Sequence, residues 1–153
     1  MTPRLAEAQE DFGAILALIR DSFAYMERRI NPPSSMHRLT EAGIAEAARM
    51  GEVWLIGAPV LACMFLTQQP GRLYVGKIAV AESERQKGHA RALLAVAEAR
   101  ARALGLPKLV LETRVELSEL HETYRALGFH EAGRHAHPGF DRDTTVLFVK
   151  PVT

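Results

Sequence analysis

Between Arg85 and Ala90 the chain reads Arg-Gln-Lys-Gly-His-Ala, directly after the apolar run Ile78-Ala79-Val80 and a short polar stretch. This hexapeptide opens a helical pattern. The first turn of a helix leaves backbone N–H groups unpaired, and its dipole favours an anion. Small residues at Gly88 and Ala90 let a ligand approach the backbone closely. Arg85, Lys87 and Arg91 add positive charge. The combination suits a pyrophosphate cradle formed by Arg85, Gln86, Lys87, Gly88, His89, Ala90 and Arg91. It also suits an ordinary loop-to-helix junction with solvated basic residues. Neither the Gly-x-x-x-x-Gly-Lys-Ser/Thr loop nor a Gly-x-Gly-x-x-Gly fingerprint is present.

Other chemistry-bearing residues lie further along. Tyr124 falls on a short helical stretch and reads either as a packed aromatic or as a proton donor. Glu112 falls on a strand. His135, His137 and Asp141 fall around a final hairpin, where a histidine could take up a proton near neutral pH. His135-x-His137 without a further placed ligand is a weak metal signal, and no metal is expected. Cys63 sits in Ala62-Cys63-Met64-Phe65 and reads as core.

The elements that must position these groups follow from periodicity. A short strand is expected at residues 4–6. Phe12, Ile15, Leu16, Ile19, Phe23 and Met26 recur at helical steps. Asn31-Pro32-Pro33-Ser34-Ser35 is a loop between helices. Thr40 reads as the N-cap of a second helix, with Leu39 and Ile44 as a hydrophobic staple and Gly51 as its stop. Runs at 53–56, 60–66 and 73–80 are three consecutive antiparallel strands, apolar enough to be covered on both faces. Residues 88–104 form a helix ended by Gly105, and 108–113 a strand. A shorter helix runs over 119–127, with Ser118 as its cap and Gly128 at its stop. Residues 129–136 and 144–149 form a last strand pair. The order β-α-α-β-β-β-α-β-α-β-β gives an α+β fold with a single mixed, mostly antiparallel central sheet and helices on both faces. The 153 residues form one domain, 1–153.

Composition narrows the function classes. Apolar residues make up 48% and charged residues 24%, ordinary globular usage. A net charge of +1 lacks the basic footprint of a nucleic-acid binder. A single cysteine excludes a disulfide framework and points to a reducing compartment. No apolar run approaches the roughly 18 residues of a membrane span. Met1-Thr2-Pro3-Arg4 lacks a signal-peptide start. The expectation is a cytoplasmic protein without nucleic-acid or membrane partners.

Two motifs carry a resemblance. Ile78-Ala79-Val80 is followed by Arg85-x-x-Gly88-x-Ala90, and Tyr124 precedes Arg125-Ala126-Leu127-Gly128-Phe129. In this order and on these elements they resemble the GNAT superfamily of acetyl-CoA-dependent N-acyltransferases. The resemblance covers nearly the whole chain and is strongest over 73–130. It implies a GNAT-like fold and an N-acetyltransferase using acetyl-CoA as acyl donor, without a metal. An acetyl group would pass directly to a primary amine of a small molecule or peptide through a tetrahedral intermediate. It implies that the pyrophosphate is held by the backbone from Gln86 to Arg91, with Arg85 shaping the loop. The pantetheine arm would lie along Ile78, Ala79 and Val80, beside an opening between this strand and 108–114. Tyr124 matches the general acid, and a backbone N–H of the 78–80 strand would serve the oxyanion. Family members are often dimers, which allows a homodimer here.

Two positions depart from the family pattern. Gly76 and Lys77 stand where many members carry a Glu, and no Asn precedes Tyr124. His121 lies one turn from Tyr124 as a substitute for that Asn or as an exposed residue. The base is Glu112, His137 or a water relay. The acceptor pocket is expected between Tyr25, Met26, Arg29 and the 31–35 loop on one side and Tyr74 and the 137–141 loop on the other, with Arg28-Arg29 as a draw for an acidic acceptor. The departures also suit a CoA-binding regulatory or sensor domain with little catalysis.

Overall fold

The computed structural model describes residues 1–152. A two-residue strand, β1 (Arg4–Leu5), precedes helix α1 (Phe12–Phe23), a 3-10 turn at Ser35–Arg38 and helix α2 (Glu41–Met50). Three antiparallel strands follow, β2 (Glu52–Ile56), β3 (Ala62–Gln69) and β4 (Arg72–Val80). The chain then alternates through α3 (His89–Leu104), β5 (Lys108–Arg114), α4 (Ser118–Ala126), β6 (His130–His135) and β7 (Thr145–Pro151). The strands form one mixed sheet in the order β1-β2-β3-β4-β5-β7-β6. Among the described residues no helix is long and apolar enough to cross a membrane.

Local chemistry accounts for the helix ends. The Asp11 side chain accepts from the Ala14 N–H at 3.0 Å and starts α1. Thr40 does the same for Gly43 at 3.0 Å, and Leu39 packs into the cluster that buries Ile44, so cap and staple act together on α2. Gly105 closes α3 at φ +70°, where a side chain would be strained. Helix α4 differs from expectation. Its cap residue is Leu117, which has no side-chain oxygen to offer, and Ser118 is already helical. Buried Leu117 anchors that end instead, through apolar contact.

The sheet is covered on both faces. One cluster joins Leu93, Leu94, Ala97 and Ala101 of α3 to Leu73, Val75, Leu109, Leu111 and Phe148. The other joins Ile15, Leu16 and Ile19 of α1 and Ile44 of α2 to Val53, Leu55, Cys63 and Ala79. Successive strand residues face opposite sides, so the apolar runs of β2 to β4 serve both clusters.

The feature that creates a site is a failure of pairing. Parallel strands β4 and β5 match only at Leu73↔Leu109 and Tyr74↔Val110. Beyond Tyr74, β5 stays with β7 as far as Arg114, while β4 stays with β3. The β3–β4 register slips between Cys63 and Phe65, and opposite that slip Lys77 takes φ +51°. A bulge raises local twist and turns the strand. The far half of β4 therefore swings away from β5 and leaves its edge open.

Candidate active site

The opening between β4 and β5 widens into a cleft of about 1480 Å³. Its walls include Ile78, Ala79 and Val80, the Arg85-Gln86 and Gly88–Arg91 stretch, Glu112 and Arg114, Tyr124, and the 32–35 and 137–138 loops. Of the cofactor-site residues expected from sequence, only Lys87 is absent from the wall.

The loop before α3 is built from unusual backbone. Gln86 has φ +63° and Gly88 has φ +84°. Gly88 is the N-cap residue, and no side chain caps the first turn. A Cβ built on Gly88 would meet no atom within 4 Å, so the space before these N–H groups is open. Consecutive N–H groups around left-handed residues form a concavity that binds anions. Charge is distributed differently from the sequence reading. The Glu84 carboxylate takes Lys87 Nζ at 2.9 Å and His89 Nε2 at 3.0 Å, and these contacts hold its carboxyl below the usual range. Lys87 is thus engaged locally, while Arg85 and Arg91 line the cleft. Glu84 had no signal beyond its place in an i,i+3 pair with Lys87.

Tyr124 sits half-buried on α4, with its ring 6.0 Å from Phe129 and 6.2 Å from Phe148. Packing does not withdraw it from the cleft: the ring belongs to the edge of the core, and the residue lines the cleft. Among the described residues its hydroxyl has no hydrogen-bond partner. Burial, with a smaller contribution from Tyr25, pushes its phenol up to about 12.

On β5, Glu112 lies two residues past Val110, the last partner of β4, and so points to the same face as Tyr74. Tyr74 Oη donates to Glu112 Oε1 at 3.2 Å, and His135 Nε2 lies 3.2 Å from Glu112 Oε2. His137 is close by, but its Nδ1 is engaged by Thr144 Oγ1. Burial, then Arg114 and His135, lowers its pKa.

Two readings change. His121 is neither exposed nor in the cleft wall; it is buried, with Nε2 2.9 Å from the Arg114 carbonyl and its ring 5.6 Å from Phe148. Arg29 does not face an acceptor. Its guanidinium binds both oxygens of the Glu119 carboxylate and the Glu116 carbonyl, tying the α1–α2 connection to α4. Lys77, which stands where many family members carry a Glu, is the left-handed residue of the β4 bulge. A Gly-Lys pair breaking the apolar run of β4 was the available signal. Cys63 is core, as expected, and burial raises its thiol to about 12. Among the described residues no group of three or more His, Cys, Asp or Glu could hold a metal ion.

The profile of the acetyltransferase (GNAT) family matches residues 16–129, three quarters of the chain, from within α1 through α4. The chain belongs to that family. No curated relative matches the sequence. Solved structures share the fold at low identity. A Streptococcus mutans protein superposes with TM-score 0.80 at 16% identity over all of both chains. The ribosomal-protein-S18-alanine N-acetyltransferase of Escherichia coli gives 0.66 at 20% identity, covering 99% of this chain and 95% of its own. A Bacillus anthracis structure holding acetyl coenzyme A gives 0.61 at 18% identity over 67% of this chain and 63% of its own. The loop before α3 has geometry that suits a pyrophosphate: an uncapped helix start, a left-handed glycine and open space before it.

Proposed function

We propose that the protein transfers an acetyl group from acetyl-CoA directly to a primary amine of a small molecule or peptide, with Tyr124 as general acid. One observation carries the reading. The unpartnered Tyr124 phenol and the uncapped start of α3 line one cleft, opened where β4 leaves β5. The N–H groups from Gln86 to Arg91 hold the pyrophosphate, and Arg85 adds charge at its edge. The unpaired backbone edge at Ile78, Ala79 and Val80 receives the pantetheine arm, and one of its N–H groups faces the oxyanion.

Transfer requires the amine to lose a proton and the departing thiolate to gain one. Burial holds the Tyr124 phenol protonated at neutral pH, so its proton is in place beside the cleft. Glu112 is the acceptor of the amine's proton, directly or through water. Tyr74 and His135 fix its two oxygens toward the cleft. It outranks His137, whose Nδ1 is already engaged.

The test measures unfolding with acetyl-CoA, then free thiol release with a panel of amines, in the parent and in Tyr124→Phe. Stabilisation together with turnover that collapses in the variant supports the proposal. Stabilisation without turnover of any amine would favour a CoA-binding sensor. Turnover equal in both proteins would remove Tyr124 from the role of acid.

A further inference from the structure

The acceptor side of the cleft holds three cations that share no carboxylate. Lys77, thrown out by the bulge in β4, places Nζ 2.8 Å from Ser35 Oγ. Arg114, at the end of β5, donates to the Pro32 carbonyl at 2.6 Å and the Pro33 carbonyl at 3.0 Å. Arg38 ends the 3-10 turn that begins at Ser35. All three therefore meet the 32–38 segment, and all three line the cleft.

Their neighbours offset them only in part: the Glu116 carboxylate acts on Arg114 through space, and among the described residues no carboxylate forms an ion pair with Lys77, Arg38 or Arg114. Lys77 and Arg114 donate instead to a hydroxyl and two carbonyls. Nearby carboxylates are engaged elsewhere. Glu119 holds Arg29, Glu27 lies 3.1 Å from His37, and Glu112 is held by Tyr74 and His135. Glu116 accepts from the Asn31 N–H at 3.3 Å and lies 3.7 Å from Arg142, both through Oε2; its Oε1 is buried without a hydrogen-bond partner, so Glu116 offsets part of the Arg114 charge. The cost of this grouping shows in Lys77, whose amine is lowered first by burial and then by Arg38 and Arg114. An arriving anion would relieve like-charge repulsion at this end of the cleft.

Glu112 and Arg114 are two residues apart on β5 and face the same side, roughly 7 Å along the strand. The acceptor side is thus acidic at one point and basic a short distance away. We propose that Lys77, Arg38 and Arg114 form an anion subsite of the acceptor pocket, and that the acceptor is an amine bearing a carboxylate or phosphate a few bonds from its nitrogen. The amine docks at Glu112 and the anion at the three cations. This assignment rests on the transferase reading. It replaces Arg28-Arg29 as the draw for acidic acceptors, since Arg29 is bound to Glu119.

The test uses the full chain saturated with CoA, which blocks turnover, and reads acceptor binding by calorimetry at constant ionic strength. The probes are matched pairs: β-alanine against β-alaninamide, and phosphoethanolamine against ethanolamine. At least one acidic member is expected to bind about tenfold or more tightly than its neutral partner, as suits a charge-assisted contact. Which pair discriminates tells carboxylate from phosphate. In Lys77→Met and in Arg38→Gln that ratio should fall toward one; Arg38 is exposed, so its variant is expected to fold. Equal affinity within both pairs, no binding by either acidic member, or a ratio unchanged in both variants overturns the subsite while leaving the transferase reading intact. Failure of acetyl-CoA to stabilise the parent removes both together.

Discussion

Replacement of Gly88 separates backbone strain from ligand recognition at one position. Gly88 has φ +84°, a conformation that costs an L-residue about 1 kcal/mol or somewhat more. A Cβ there would meet nothing within 4 Å, so the strain is not increased by a clash. For 153 residues the entropy of unfolding is about 0.3 kcal/mol per degree, so both Gly88→Ala and Gly88→Glu should lower the unfolding midpoint by about 3 °C. Acetyl-CoA at a hundred times its Kd should add about 2.7 kcal/mol to the parent, a rise of about 8 °C. In Gly88→Glu that rise should vanish, because a carboxylate then stands before the N–H groups meant for a pyrophosphate. Gly88→Ala should keep part of it. Differential scanning fluorimetry with an acetyl-CoA titration reads both effects. An unchanged midpoint in both ligand-free variants would refute the strain argument. A full rise retained in Gly88→Glu would refute the cradle, whatever the family.

Other perturbations test the remaining links. Tyr124→Phe should lower turnover about 10²-fold with acetyl-CoA affinity within about twofold, measured by thiol release and titration. In the parent, no alkaline loss of turnover near pH 10 should arise from this phenol, because burial holds it protonated up to about 12; a decline there that Tyr124→Phe abolishes would contradict the shift. Cys63, with its thiol raised to about 12 by burial, should resist an aromatic disulfide reagent at pH 8 until the protein unfolds. Because the unfolded thiol ionises from roughly pH 8.5 while the folded one does not, Cys63→Ala should reduce the decline of stability between that pH and about 12. Leu55→Ala, at a fully buried position between α1 and the sheet, should cost about 2–5 kcal/mol in denaturant unfolding.

What could be read from the residues, and what could not, divides by the range of the interactions. Thr40 and Gly105 act within a few residues of themselves, so the helix ends they set follow from spacing alone. On α3, Leu93, Leu94, Ala97 and Ala101 recur at helical steps and are the residues it buries, because one face of a helix meets one sheet. The divergence of β4 from β5 is different. It depends on a register slip against β3 and on Lys77 adopting a left-handed backbone, and both are settled by partners far away in sequence. A Gly-Lys pair inside an apolar run marks where a strand bends but not which neighbour it leaves. His121 shows the same limit: its burial comes from Phe148 and the Arg114 carbonyl, neither visible from the helix it sits on.

The division has a consequence for how the site is built. The proposed anion cradle is a local device of one loop and one helix start, and its motif is legible. The proposed acceptor side draws Lys77 from β4, Arg114 and Glu112 from β5, Arg38 from the α1–α2 connection and His135 from β6. No short motif can encode five positions on four segments. A family sharing the first half can therefore vary the second by changing surface residues without touching the core that holds α1 and α3 to the sheet. On this reasoning Lys77→Met and Arg38→Gln should alter acceptor preference with unfolding midpoints within about 2 °C of the parent, since neither belongs to a buried cluster. A larger loss of stability in both would mean that the cations brace the 32–38 segment and that acceptor choice lies elsewhere in the cleft.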